Sequence, residues 1–110
     1  MIAVIFQVEA RPGRGQDYFD IAAELKSEVE AIDGFISVER FESVSTPGKY
    51  VSLSFWRDEA AVAAWREHVR HRAAQAKGKA EIFRDFRITV AEVVRDYDMA
   101  SRVGGPQPAG

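Results

Sequence analysis

The chain has no cysteine. That excludes disulfides, thiolate metal ligands and a cysteine nucleophile, and leaves the compartment open, since a secreted protein need not contain cysteine. No apolar run approaches the roughly 20 residues needed to cross a bilayer, and Met1 leads straight into a strand pattern without a charged leader. No membrane partner and a cytoplasmic location are expected. Positive charge is not in excess either: 15 Lys and Arg against 17 Asp and Glu give a net charge of -2 and a pI near 5.7. The general attraction on which a nucleic-acid binder relies is therefore missing, and no nucleic-acid partner is expected. Histidine is sparse, with two residues; His68 and His71 at i, i+3 lack a third ligand nearby, so no metal site is expected. There is no P-loop, no dinucleotide fingerprint and no Ser-His-Asp order. The glycines of RPGRG (11–15) lack the GxGxxG spacing.

What the chain does contain is the composition of one globular domain, with 110 residues, 46% hydrophobic and 29% charged. Ile2 to Ala10 alternates, with Ile2, Val4, Phe6 and Val8 on one side and Ala3, Ile5, Gln7 and Glu9 on the other, as in a strand with one strongly apolar face. After the RPGRG break, Phe19, Ala22, Leu25, Val29 and Ile32 recur at three and four residues. This spacing predicts a helix over 16–32, with Glu24, Lys26, Glu28 and Glu30 outward and Asp33-Gly34 as its stop. Phe35 to about Ser43 and Tyr50 to Trp56 alternate on either side of STPGK and predict a hairpin.

The stretch FWRDEAAVAAWREHVRHRAAQAKGKAEIF (55–83) holds both histidines and both tryptophans. Asp58 is placed to cap a helix that starts at Glu59, and Gly78 to end it. At about 100° per residue, Val62, Trp65, Val69 and Arg72 share its apolar face. His68 and Gln75 flank that face, and His71 lies toward solvent. Residues 86–97 read as a fourth strand with a bulge near 91–94. The domain is expected over 1–97, with a Gly/Pro-rich tail over 98–110 that frays without a partner.

The order β-α-β-β-α-β is the ferredoxin-like arrangement of class α+β, an antiparallel four-stranded sheet with two helices on one face. Two helices leave the other face open although it carries Phe35 and Phe41. A second copy packed sheet to sheet is the expected cover, giving a homodimer through the sheet faces.

The strand ending in FW, the run RDEAAVAAWREHVRHRAAQAKGK and the closing VVRDY resemble the antibiotic biosynthesis monooxygenase (ABM) family of dimeric α+β barrels, across residues 2–97. The resemblance implies a pocket between sheet and helices that takes a small apolar or aromatic molecule. It also implies one of two oxygenase chemistries: cofactor-independent oxidation of polycyclic aromatics to quinones, or heme degradation in the same cleft. In the heme-degrading branch a first-strand Asn, a helix Trp and an axial His ten residues later carry the chemistry. Trp65 matches that Trp, but Phe6 and Gln7 stand in strand one, and the position ten after Trp65 is Gln75.

From the residues themselves, His68 is the candidate proton acceptor, since it flanks the buried face and imidazole is the side chain most often used for proton transfer. Its plainer reading is a half-buried ring bonded to a carbonyl. Trp65 and Trp56 are candidate walls for a flat substrate, or simply core rings whose N–H needs one partner. Arg72 pairs with a carboxylate or with a ligand anion. Gln7, Gln75 and His71 complete the candidate set together with Phe6. The expected reaction uses no cofactor, with heme as the alternative. A binding module without catalysis is the reading from another class.

Overall fold

In the computed structural model, residues 1–75 and 83–100 are described. They form β1 (Ile2–Ala10), α1 (Gly15–Glu30), β2 (Phe35–Glu42), β3 (Lys49–Trp56), α2 (Glu59–Gln75) and β4 (Phe83–Glu92). The strands make one antiparallel sheet in the order β2-β3-β1-β4, with both helices on one face. The ferredoxin-like expectation is met.

The β1–β3 register shows which side chains share a face. Ile2 lies opposite Trp56, Val4 opposite Ser54, Phe6 opposite Ser52 and Val8 opposite Tyr50, so these pairs form the helix side. Two clusters are buried there. One joins Ile2, Val29, Trp56 and Ala61, with Val4, Ile32, Phe35, Val38, Val62 and Trp65 against it; the other joins Val8, Tyr18 and Tyr50. Phe35, expected on the open face, thus lies on the helix side, paired with Trp56. On α1 the buried aromatic is Tyr18, while Phe19 is exposed at the edge. Periodicity alone reverses the two, because adjacent positions differ by only about 100° on the wheel.

The element ends differ from expectation for physical reasons. Helix α1 stops at Glu30 rather than Ile32, where Ala31 and Ile32 bond back to Glu28 and Val29 in a tightening turn. Gly34 then takes φ +94°, and a Cβ there would stand 2.7 Å from the Cβ of Ala61. Glycine is thus required both for the turn and for the approach of α2. Strand β4 covers 83–92, not 86–97, because it pairs along the full length of β1, from Ala10 with Phe83 to Ile2 with Glu92. Beyond that, only Val93 N–H to the Met1 carbonyl remains. The register step falls at Glu9/Ala10, at the start of β4 rather than at 91–94. The predicted stop at Gly78 and residues 101–110 of the tail lie outside the described residues.

Asp58 caps α2 as the sequence indicates, its Oδ1 accepting the Ala61 N–H at 2.9 Å. The Arg57 guanidinium, bonded to Asp58 at 2.9 Å and to both oxygens of Asp33 at 3.2 Å, is the main cause holding the Asp58 carboxyl below its ordinary range. The Ala61 N–H adds to it. A carboxyl with a depressed folded-state pKa stabilises the fold above its unfolded value, near 3.9, and loses that contribution as pH falls through the folded value. Asp58→Ala is therefore expected to melt at a lower temperature than wild type at pH 7, with the gap narrowing as pH falls below the ordinary carboxyl value and through the lower folded-state one. Circular dichroism melts across that range check this, and a gap independent of pH would contradict it.

Candidate active site

The helices cover β2, β3 and β1 but leave the helix side of β4 open. Val90, Ile88 and Phe86 lie opposite Val4, Phe6 and Val8, and so belong to the same face, yet Phe86 is 60%, Ile88 55% and Val90 49% exposed. Alternate residues on a strand are about 7 Å apart, so the three make an apolar strip about 14 Å long. Phe6 borders it, with its ring centroid 6.1 Å from that of Phe86. Val4, across from Val90, packs against the same cluster as Trp65, which joins the strip to the aromatic core.

A column of rings runs from that core to α1. Phe35 meets Trp56 edge to face at 5.3 Å, Trp56 stacks on Trp65 at 6.4 Å, and Trp65 stacks on His68 at 5.5 Å with the rings 19° apart. Trp56, 1% exposed, ends β3 between Ile2 and Phe35, and its indole N–H donates to the Ser54 hydroxyl at 2.9 Å. This satisfies the polar atom of a fully buried ring. Trp56 consequently backs Trp65 from within the core.

At the column's far end, His68 Nε2 lies 2.7 Å from Glu28 Oε1 on α1. A carboxylate accepts only, so the imidazole donates through Nε2–H. The remaining nitrogen, Nδ1, has no partner among the described residues and is the atom able to take a proton. Arg72 Nε stands 3.2 Å from the same Glu28 oxygen, within ion-pair distance but off the line of a hydrogen bond. Glu28 therefore links the two helices and fixes both basic side chains. Periodicity puts it on the outer face of α1, and only the packing of α1 beside α2 brings it inward.

Phe6 is on the helix side, whereas Gln7, opposite Val51 and Arg87, is on the other side of the sheet. Gln7 therefore lies on the sheet face opposite Phe6 and the helices. His71 is exposed on the outer side of α2, and Gln75 is the last residue of that helix; the side chain of Gln75 lies outside the described residues. Sequence reading missed Glu28 and the exposure of the β4 strip. The signal for the strip is the alternation Phe86, Ile88, Val90, which marks a strand but not an uncovered one.

Among the described residues no group of three or more His, Asp or Glu is arranged to hold a metal, and no helix is long and apolar enough to cross a membrane. A concavity of about 470 Å³ is lined by the consecutive run Val93–Tyr97 alone, so no second element contributes chemistry to it. A cleft of about 350 Å³ lies at the other end of the sheet, where β1, α1, the β2–β3 turn and β4 meet. Close to it, burial pushes the Tyr18 hydroxyl up from its ordinary value, with Arg40 and Ser52 acting in the opposite sense.

The antibiotic biosynthesis monooxygenase family model matches residues 1–77. A jasmonate monooxygenase of Pyricularia oryzae is 42% identical over 93 residues, which are 84% of this chain and 43% of that protein. The chain thus spans less than half the length of that relative. Among solved structures, Rv0793 of Mycobacterium tuberculosis superposes with a TM-score of 0.73 at 22% identity, over 88% of this chain and 98% of that one. MhuD of the same organism, a heme-degrader with two hemes bound in its active site, gives 0.72 at 20% identity, over 89% and 100%. At these identities the two structural likenesses speak for the fold alone.

Proposed function

The chain belongs to the antibiotic biosynthesis monooxygenase family, and on that premise we propose that it oxidises a small, flat, largely apolar molecule lying on the open strip of β4. The observation that carries this reading is the strip itself: three apolar side chains left exposed on the face that the helices otherwise cover, beside the cluster on which Trp65 packs. Trp65 offers a wall backed by Trp56, and His68 offers Nδ1 as base while Glu28 fixes its tautomer.

The chemistry follows from electron balance. An acidic C–H on the substrate gives its proton to His68 Nδ1, the imidazolium is stabilised by Glu28, and the carbanion passes electrons to dioxygen. For an activated methylene, one molecule of substrate and one of dioxygen yield one ketone and one water. One oxygen atom enters the substrate, the other leaves as water with the two methylene hydrogens, and the substrate is its own reductant. The apolar strip and the aromatic wall hold the anion away from bulk water, which strengthens its interaction with fixed charges.

Heme fits these residues less well. Of the two imidazoles, His71 is exposed on the outer side of α2, and His68, bonded to Glu28 through Nε2, keeps Nδ1 open. The position ten after Trp65, where the heme-degrading branch carries its axial His, is Gln75, so no step is routed through heme. Added hemin is expected to keep its free Soret spectrum; a shift lost in His68→Ala would instead favour the heme-degrading branch.

The test of the main reading is oxygen uptake with hydroxylated polycyclic aromatics and, given the name of the Pyricularia relative, with jasmonate in the presence and absence of a reductant. Uptake coupled to one oxygen atom in the product is expected. No uptake and no binding across the panel would overturn it.

The same reading includes a homodimer. On the outer sheet face Ile5 lies opposite Leu53, and Phe41 opposite Val51; an apolar face of that extent is stable in water when a second copy covers it. Sedimentation at micromolar concentration should give about twice 12.3 kDa, and a species at the single-chain mass would contradict it.

A further inference from the structure

We propose that the substrate is an acid, with its apolar body on the strip and its carboxylate at the Arg84 end, held by Arg84, Arg11, the Tyr50 hydroxyl and the first turn of α1. This rests on the reading that the strip holds the substrate. Arg84 is the residue β4 has in excess where the register steps from Asp85 opposite Glu9 to Phe83 opposite Ala10. Bulges of this kind re-aim a side chain. Arg84 lines the cleft of about 350 Å³ together with Arg11, Gly15 and Tyr50, and along β4 it is followed at alternate positions by Phe86, Ile88 and Val90. A cationic end therefore continues directly into the apolar strip.

The cleft also holds a phenol hydroxyl that no described protein group engages. Tyr50 is 8% exposed, its ring stacked on Tyr18 at 5.5 Å and edge-on to Phe19 at 4.8 Å. Its hydroxyl abuts the start of α1, where a Cβ on Gly15 would stand 2.5 Å from it. It makes no hydrogen bond among the described residues, and neither Arg11 nor Arg84 makes an ion pair among them. The hydroxyl is not among the buried unpaired polar atoms of the described residues, so it meets water in the cleft, and a carboxylate oxygen can take that water's place as its acceptor. Helix α1 begins without a side-chain cap, so its first N–H groups and the positive end of its dipole also face an incoming anion. Arg14 and Asp17 neutralise each other nearby. Glu9, the one acid in the cleft lining, sits opposite Lys49 in the β1–β3 register, and its strand neighbour Val8 faces the helices.

The experiment is a fluorescence titration of the full chain with 4-(1-pyrenyl)butanoic acid and with its methyl ester, which share a flat apolar body and differ in the carboxylate. Charge-assisted contacts of this kind predict that the acid binds about 10-fold or more tightly than the ester. Arg84→Gln and Arg11→Gln should each erode that preference and together abolish it, with ester affinity unchanged. Gly15→Ala should weaken the acid alone, by pushing the Tyr50 hydroxyl aside. Equal binding of acid and ester by wild type, or variants that weaken both alike, would overturn the carboxylate site while leaving the oxygenase reading intact. Failure of both ligands to bind would count against the strip itself. Preferred binding of the acid without oxygen uptake on any substrate would sustain this inference and remove the oxygenase reading.

Discussion

His68→Ala is expected to lower kcat about 10²- to 10⁴-fold while changing KM little, the loss typical of a positioned general base. The ring touches Trp65 on one side and Glu28 on the other, so truncation removes the proton acceptor without opening the core, and the fold should persist. Added imidazole should restore part of the rate, which a merely structural histidine would not allow. Glu28→Gln keeps an acceptor for Nε2–H but removes the charge that stabilises the imidazolium, so kcat should fall by a smaller factor, about 10-fold. Steady-state oxygen uptake on the three proteins checks the order wild type, Glu28→Gln, His68→Ala. Equal rates for wild type and His68→Ala would remove the histidine from the chemistry.

Trp56→Ala is expected to cost about 3–5 kcal/mol of stability, as for other large rings removed from a core. Trp56 touches Phe35 and Trp65, and its indole satisfies the buried Ser54 hydroxyl. The substitution therefore leaves both a cavity and an unpaired polar group. Against a total of about 5–15 kcal/mol for a domain, that is a large fraction. Trp56→Phe keeps a ring in the column and should cost less. Urea unfolding monitored by circular dichroism gives both values, and a loss under about 1 kcal/mol for Trp56→Ala would mean that the column carries little of the fold.

Both predictions depend on contacts that the sequence reveals unevenly. The alternation of Ile2 to Ala10, the three-and-four spacing from Phe19 to Ile32 and the turn chemistry of STPGK are enough to read six elements in their order, because each is a local pattern. Trp65 and His68 are legible on and beside the buried face of α2 for the same reason. Glu28 is not: its inward position depends on how α1 lies against α2, which no single helix encodes. Gln7 is a candidate as a strand-one amide able to donate to a substrate, whereas alternation sets it and Phe6 on opposite faces of β1. The uncovered state of Phe86, Ile88 and Val90 is a property of where the helices stop, and the ends of β4 are set by the length of its partner β1.

The most direct test of the strip as the substrate site is a two-dimensional NMR titration of labelled protein with a substrate that supports oxygen uptake, following indole N–H and methyl resonances. The Trp65 indole and the methyls of Ile88 and Val90 should shift together and saturate at one equivalent per chain. Shifts confined to Val51 and Leu53, on the other side of the sheet, would place the ligand elsewhere and contradict the assignment.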